Sequence, residues 1–263
     1  IMIKKIIPAF LFLTVLTISC NNTSDSTDGK YIQWSGENEV ANAMVGKGIF
    51  HFLNIEREKA YSFFAGSLEV DSTLFASHVV LAWLTPNGEA DEMHKSKARE
   101  LVKGKNENSN LMVSLLDINL PAGEERRAKR HEIWSKMHEI EPDGRFIHYF
   151  YATTKSTPQE RIDELEVLLD NNKNTGSWYA HILNMLGYLH YGEDEKASAK
   201  SYFDKYLEAY PEGYNPPDSM GEFYFNEKEY ETALKYYENA LDKYPFSVSA
   251  TNKVKEINEL LGN

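Results

Sequence analysis

Between residues 180 and 247 the chain repeats itself with a period of 34. Leu186-Gly187 returns as Met220-Gly221, Ala199 as Ala233, Phe203 as Tyr237, Leu207 as Leu241 and Pro211 as Pro245. A fixed period of this size means that each unit is one supersecondary element that cannot bury its apolar face alone, so neighbours must stack into a continuous core. The glycine lets one helix of a unit approach the other closely, and the alanine leaves room for the ring four residues on. The proline, lacking an amide hydrogen, ends the second helix.

Read in register, the first unit is Leu183, Leu186, Gly187, His190, Ala199, Phe203, Pro211 and the second is Pro217, Met220, Gly221, Tyr224, Ala233, Tyr237, Ala240, Pro245. This resembles the tetratricopeptide repeat, whose pattern is W-x2-L-G-x2-Y, then A-x3-F, then P. The leading tryptophan is missing from both units, and His190 stands where the family has tyrosine. The resemblance implies an all-α right-handed superhelix that offers a binding surface and carries no chemistry of its own. Gly48, Ala60 and Phe64 reproduce the offsets of Gly187, Ala199 and Phe203, which marks a third unit over residues 41–72; the two strict units occupy 180–213 and 214–247.

The rest of the chain is read from periodicity. Apolar residues at helical spacing predict helices over 37–53, from Leu74 to Leu84, from Ala90 to Lys103, from Leu111 to Leu120, from Gly123 to Ile140 and from Phe146 to Thr153. Another runs from Thr157 to Leu169, with Thr157 as N-cap, Pro158 as first helical residue and Glu160 as its capping-box partner, and a polar link follows over 171–176. Asn215 with Asp218 three residues on marks a capped start in the second strict unit. Val248 to Leu261 places Val254, Ile257, Leu260 and Leu261 on one side and charge on the other, as a terminal capping helix would. The expectation is a helical-repeat domain over 37–263: about six helix pairs and a C-terminal cap over 248–261.

The first residues have a different character. Lys4 and Lys5 precede an apolar run from Ile6 to Ile18, with Met2 as the expected start, and this is the layout of an export signal over 1–19. The chain's single cysteine, Cys20, follows directly in the sequence Leu16-Thr17-Ile18-Ser19-Cys20, which resembles the lipobox of bacterial lipoproteins despite threonine at one usually aliphatic position. That resemblance implies lipidation of Cys20, a flexible tether over 20–36, and anchorage in a bacterial cell envelope, the outer membrane being the expected address. An ordinary cleaved signal or a retained apolar anchor is the alternative. With one cysteine no disulfide can form within the chain.

Loss of such a signal, with Lys4 and Lys5, would take the formal charge from −12 to −14. A chain so acidic, with no basic stripe, is not expected to bind nucleic acid. His131-Glu132-Ile133-Trp134-Ser135 begins like a zinc-protease helix, but serine stands where the second histidine ligand should be. His131 and His138 are two turns apart and read as solvated helix surface. Phosphate-binding and nucleophile-elbow motifs are absent from the sequence, so no cofactor, metal or catalytic residue is assigned and no enzyme is expected.

In tetratricopeptide families the first helix of each pair lines the inner surface. The resemblance maps that lining to His181, Asn184, Tyr188 and Tyr191, then Asn215, Asp218, Glu222 and Phe225. Aromatic area mixed with hydrogen-bonding tips suits a groove for an extended peptide or a partner helix. Asp218 and Glu222 favour a cationic or amide-rich ligand over a terminal carboxylate. The expected function is a membrane-anchored module that binds a protein or peptide partner in the envelope, as scaffold or assembly factor. The alternative is capture of a glycan or small solute on the tyrosines.

Overall fold

The computed structural model describes residues 29–85 and 88–262. The expected signal, Cys20 and most of the tether lie outside the described residues. The described chain is all helix and loop. Six consecutive pairs are followed by a capping helix: α1 (Glu39–Leu53) with α2 (Arg57–Val70), α3 (Phe75–Leu84) with α4 (Glu89–Leu101), and α5 (Glu107–Ser114), extended by a 3-10 turn at Leu115–Asp117, with α6 (Glu124–Ile140). Then come α7 (Arg145–Thr154) with α8 (Pro158–Asn174), α9 (Ala180–Gly192) with α10 (Lys196–Ala209), α11 (Asn215–Asn226) with α12 (Tyr230–Lys243), and α13 (Val248–Leu261). Each helix packs on the next, save that α5 packs on α3 rather than on α4, giving the expected solenoid of six pairs and a cap.

The glycine sites act as the repeat logic requires. A Cβ on Gly187 would lie 2.6 Å from Phe203 Cε1, one on Gly48 would lie 2.9 Å from Phe64 Cε2, and one on Gly221 3.0 Å from Tyr237 Cδ2. The three rings are fully buried against helix backbone that only glycine leaves open. The position held by His190 also becomes clear: in each of these three pairs the corresponding ring stacks on an aromatic of the second helix. His51 lies on Phe63, His190 on Tyr202 and Tyr224 on Tyr236, within 11° of parallel. Histidine substitutes for tyrosine because the site asks for a flat ring, and its Nδ1 adds a bond to the acid at the next helix start, His51 to Glu56 and His190 to Glu195. Both turns, and the equivalent turn before α12, pass through one left-handed residue: Ile55, Asp194 and Lys228 have φ of 60°, 62° and 63°.

Several local expectations need correction. The tether ends before residue 36: Ile32 is buried, Trp34 packs edge-on against Phe146, and the Asn106 and Asn108 amides donate to the carbonyls of Tyr31 and Lys30. This extended segment is held in place by polar groups of the third pair, which alternation of apolar residues over so few positions does not reveal. The fifth helix starts at Glu107, four residues before its apolar run, because Asn106 caps it by accepting from Ser109 N–H. The expected link at 171–176 is helical to Asn174. Leu260 of α13 is exposed, while Ile257 fills the cap's core. His131 and His138 are not solvated: they lie on Tyr151, nearly parallel to it, at 5.3 and 4.6 Å between ring centres. Burial lowers the pKa of both.

The largest departure from an open solenoid is that the first pair meets the last ones. Leu53, at the end of α1, belongs to the same buried cluster as Tyr149, Leu183 and Tyr206. Phe50 sits edge-on to both Trp178 and Tyr210. The Tyr206 hydroxyl lies 3.2 Å from the Asn54 carbonyl. The superhelix therefore closes, and the turn between α1 and α2 is the closing piece.

Candidate functional site

The closure is built on Glu56, whose side chain is fully enclosed. Its Oε1 accepts from the Tyr214 backbone N–H at 2.7 Å, and its Oε2 accepts from the Tyr210 hydroxyl at 2.9 Å and lies 2.5 Å from His51 Nδ1 and 3.4 Å from Lys59 Nζ. Burial alone would raise the pKa of this carboxyl. The bond to His51, the charge of Lys59 and the bonds from Tyr214 and Tyr210 outweigh it and hold the value below its ordinary position. Two residues on, Glu58 accepts from the Tyr214 hydroxyl at 2.5 Å and from the Val248 N–H at 3.2 Å. The second of these satisfies an orphan donor at the start of α13. Lys59 then covers the rings of Tyr214 and Tyr244.

Beside this seam lies a cavity of about 710 Å³, within the range of small-ligand and side-chain pockets. Its walls come from α2 (Arg57, Glu58, Tyr61), from α9 and α11 (Tyr188, Asp218, Glu222) and from the segment entering α13. Tyr61 and Val248 stand half-exposed at its mouth. Arg57 is tied to the Leu84 carbonyl. Three carboxylates face one cavity, and their environments differ. Glu58 has both oxygens engaged. Glu222 accepts from the Tyr188 hydroxyl at 2.6 Å. Asp218 is 7% exposed, accepts from the Ser249 hydroxyl through Oδ2, and leaves Oδ1 buried with no hydrogen-bond partner. Burial pushes its pKa up to about 7, against the Ser249 bond and with the charges of Glu222 and Glu58 adding to the rise.

The eight residues assigned to the inner groove divide. Tyr188, Asn215, Asp218 and Glu222 line the cavity. His181 is buried edge-on against Tyr149 and is pushed down by that burial to about 3, so it stays neutral. Asn184 is buried too and donates to Asn215 Oδ1 at 3.3 Å. Asn215 is no cap: the N-cap is Tyr214, and the Asn215 side chain is turned inward, with Tyr206 and Ser219 hydroxyls also on its Oδ1. Tyr191 donates to Glu227 and Phe225 lies under Lys253, both away from the cavity walls. Tyr188 and Glu222 hold the same position in successive units, so their bond is a rung between repeats. Glu58, Tyr61, Tyr214, Tyr244 and Ser249 were not foreseen as neighbours of these residues. One signal was available: 34 residues after Tyr206 the second unit has Ala240, and 34 after Tyr214 the capping helix begins with Val248, so these two tyrosines break the repeat where the seam forms.

Two segments of the chain, residues 185–213 and 219–247, match the tetratricopeptide repeat family. No curated protein matches the sequence. Among solved structures, yeast Tom70 is similar over 88% of this chain and 55% of its own, with a TM-score of 0.51 and 14% identity. The Cut9–Hcn1 hetero-tetramer of the APC/C is similar over 83% and 42%, with a TM-score of 0.50 and 15% identity. The chain thus spans about half the length of these two, and at such identities the likeness is one of fold. The two matched units are tetratricopeptide repeats, a repeat built for protein–protein interaction, and they stand in a longer stack of helix pairs with the same kind of fold.

Proposed function

We propose that the chain is an interaction module of a bacterial envelope that holds a segment of a partner protein in the cavity beside its closing seam. The observation that carries this reading is the cavity itself. It is formed where Tyr188, Asp218 and Glu222 of two successive helix pairs meet the first pair, with the exposed Tyr61 and Val248 on its lining. A glycan reading is less well supported, because the Tyr188 and Tyr214 hydroxyls already donate to Glu222 and Glu58 and are not free to serve sugar hydroxyls. Capture from solubilised envelope, with wild type and Tyr188→Ala compared, tests the site. A stoichiometric partner lost in the variant is the expected result; equal recovery by both proteins would place the binding face elsewhere.

The membrane part of the proposal rests on the sequence alone, on the apolar run before Cys20 and the cysteine that follows it. Among the described residues no helix is long and apolar enough to cross a membrane. Cys20→Ala is expected to move the protein from the membrane to the soluble fraction on cell fractionation. Unchanged membrane retention would remove the lipid anchor from the account.

A further inference from the structure

We infer that the cavity is a receptor for a single lysine or arginine side chain of an extended peptide, whose cationic head is bound by Asp218 with Glu222 beside it. This rests on the peptide-binding reading above and gives it a chemical specificity. The cavity carries three carboxylates against one guanidinium that is already occupied, so its charge is complementary to a cation. The independent observation is Asp218: a carboxylate more than nine-tenths buried, on a wall of the cavity, with Oδ1 lacking any donor while its other oxygen is bonded to Ser249. Buried acceptors are rarely left unmade; Oδ1 is enclosed as the side chain stands, and a turn of the Asp218 carboxylate towards the cavity would let a cationic head complete it. A metal ion fits less well. Among the described residues no three histidine, cysteine, aspartate or glutamate side chains are placed to hold one. Tyr61 and Tyr188 instead line the cavity beside the carboxylates with ring surface, which suits the aliphatic stem of a long basic side chain; the Tyr214 and Tyr244 rings are already covered by Lys59. Ile55, Tyr61 and Val248 at the mouth offer apolar footing for the flanking backbone.

Binding should depend on pH in a definite direction. The groups acting on Asp218 are Glu222 of its own helix, Glu58 of α2, and Ser249 and Lys253 of α13; Tyr188 of α9 and Tyr237 of α12 are the nearby phenols, both raised by burial and so neutral. With the Asp218 pKa near 7, the carboxylate is protonated below that value and affinity for a cation rises as pH increases through it. Lysine keeps its charge throughout that interval.

The test uses the full chain and N-acetylated, C-amidated peptides of sequence Gly-Ser-Xaa-Ser-Gly, with Xaa lysine, arginine, norleucine or glutamate, followed by amide chemical-shift titration. The lysine and arginine peptides are expected to shift amides of residues 58–62, 215–222 and 247–249. They should bind at least about tenfold more tightly than norleucine, the factor that corresponds to one charge-assisted bond. Asp218→Asn, nearly isosteric, should remove that preference. It should also melt at a higher temperature than wild type at pH 7.5, because it no longer buries an ionising group. Equal binding of lysine and norleucine peptides, or a lysine preference untouched by Asp218→Asn, overturns the cation site but leaves a peptide-binding cavity standing. Absence of binding by every peptide, with the envelope partner still lost in Tyr188→Ala, overturns the cation site alone. Absence of both removes the cavity as a binding face.

Discussion

Glu56→Ala is expected to lower the stability of the folded chain by about 3–5 kcal/mol, the usual consequence of removing one member of a buried charged network. The substitution leaves the Tyr214 N–H and Tyr210 hydroxyl without the acceptor they share, and strands Lys59 and His51 beside an empty site. Because these groups belong to α1, α2 and the segment between α10 and α11, the loss is also a loss of closure. Urea denaturation gives the first quantity, and small-angle scattering of the folded variant should show a larger radius of gyration than wild type. The same network sets a pH limit. The folded-state pKa of Glu56 is below its ordinary 4.5, so its contribution is present above that ordinary value and is lost as pH falls through the folded one. Acid should therefore open the seam in the wild type before the helix pairs melt.

Gly187→Ala is expected to destabilise by roughly 1–3 kcal/mol, the range for overpacking a filled core. The new methyl would stand 2.6 Å from the Phe203 ring, which is itself held between Tyr188 and Phe223 and has nowhere to retreat. Gly46→Ala provides the comparison. It lies in α1, also helical, but its Cβ would meet nothing within 4 Å, so relief of glycine's backbone entropy should stabilise by about 0.5–1 kcal/mol. Opposite signs at two helical glycines, measured by thermal or chemical melting, would separate close approach from propensity. Stabilisation of equal size at both would mean that helix propensity alone governs them.

The solenoid was legible because its determinants are local and periodic. Gly48, Ala60 and Phe64 announce a helix pair as plainly as Gly187, Ala199 and Phe203 do, since the packing they encode lies within one unit. The capping box of Thr157 and Glu160 was visible for the same reason, and the structure contains both of its bonds. The seam was not legible. Glu56 and Glu58 look like ordinary acids at a helix start, where a carboxylate is welcome on dipole grounds alone. Their partners lie about 150 to 190 residues away, a distance over which periodicity carries no information. The same limit applies to the inner groove. Register assigned eight side chains of α9 and α11 to the inner side; four of them line the cavity, His181 and Asn184 are core, and Tyr191 and Phe225 lie away from the cavity walls. Asp218 and Glu222 face a cavity only because the first pair arrives to form its other wall. The breaks in repetition at Tyr206 and Tyr214 are the nearest thing to a sequence trace of that closure.

Closure of the first helix pair on the last is the claim on which the cavity, its charge and its ligand all depend. Spin labels at Tyr61 of α2 and Val248 at the start of α13, both exposed and lining the cavity, with Cys20 replaced by serine, measure it directly by electron-electron dipolar spectroscopy. The account predicts one narrow, short distance that broadens and lengthens in Glu56→Ala. A broad, long distance in the protein with Glu56 intact would contradict it.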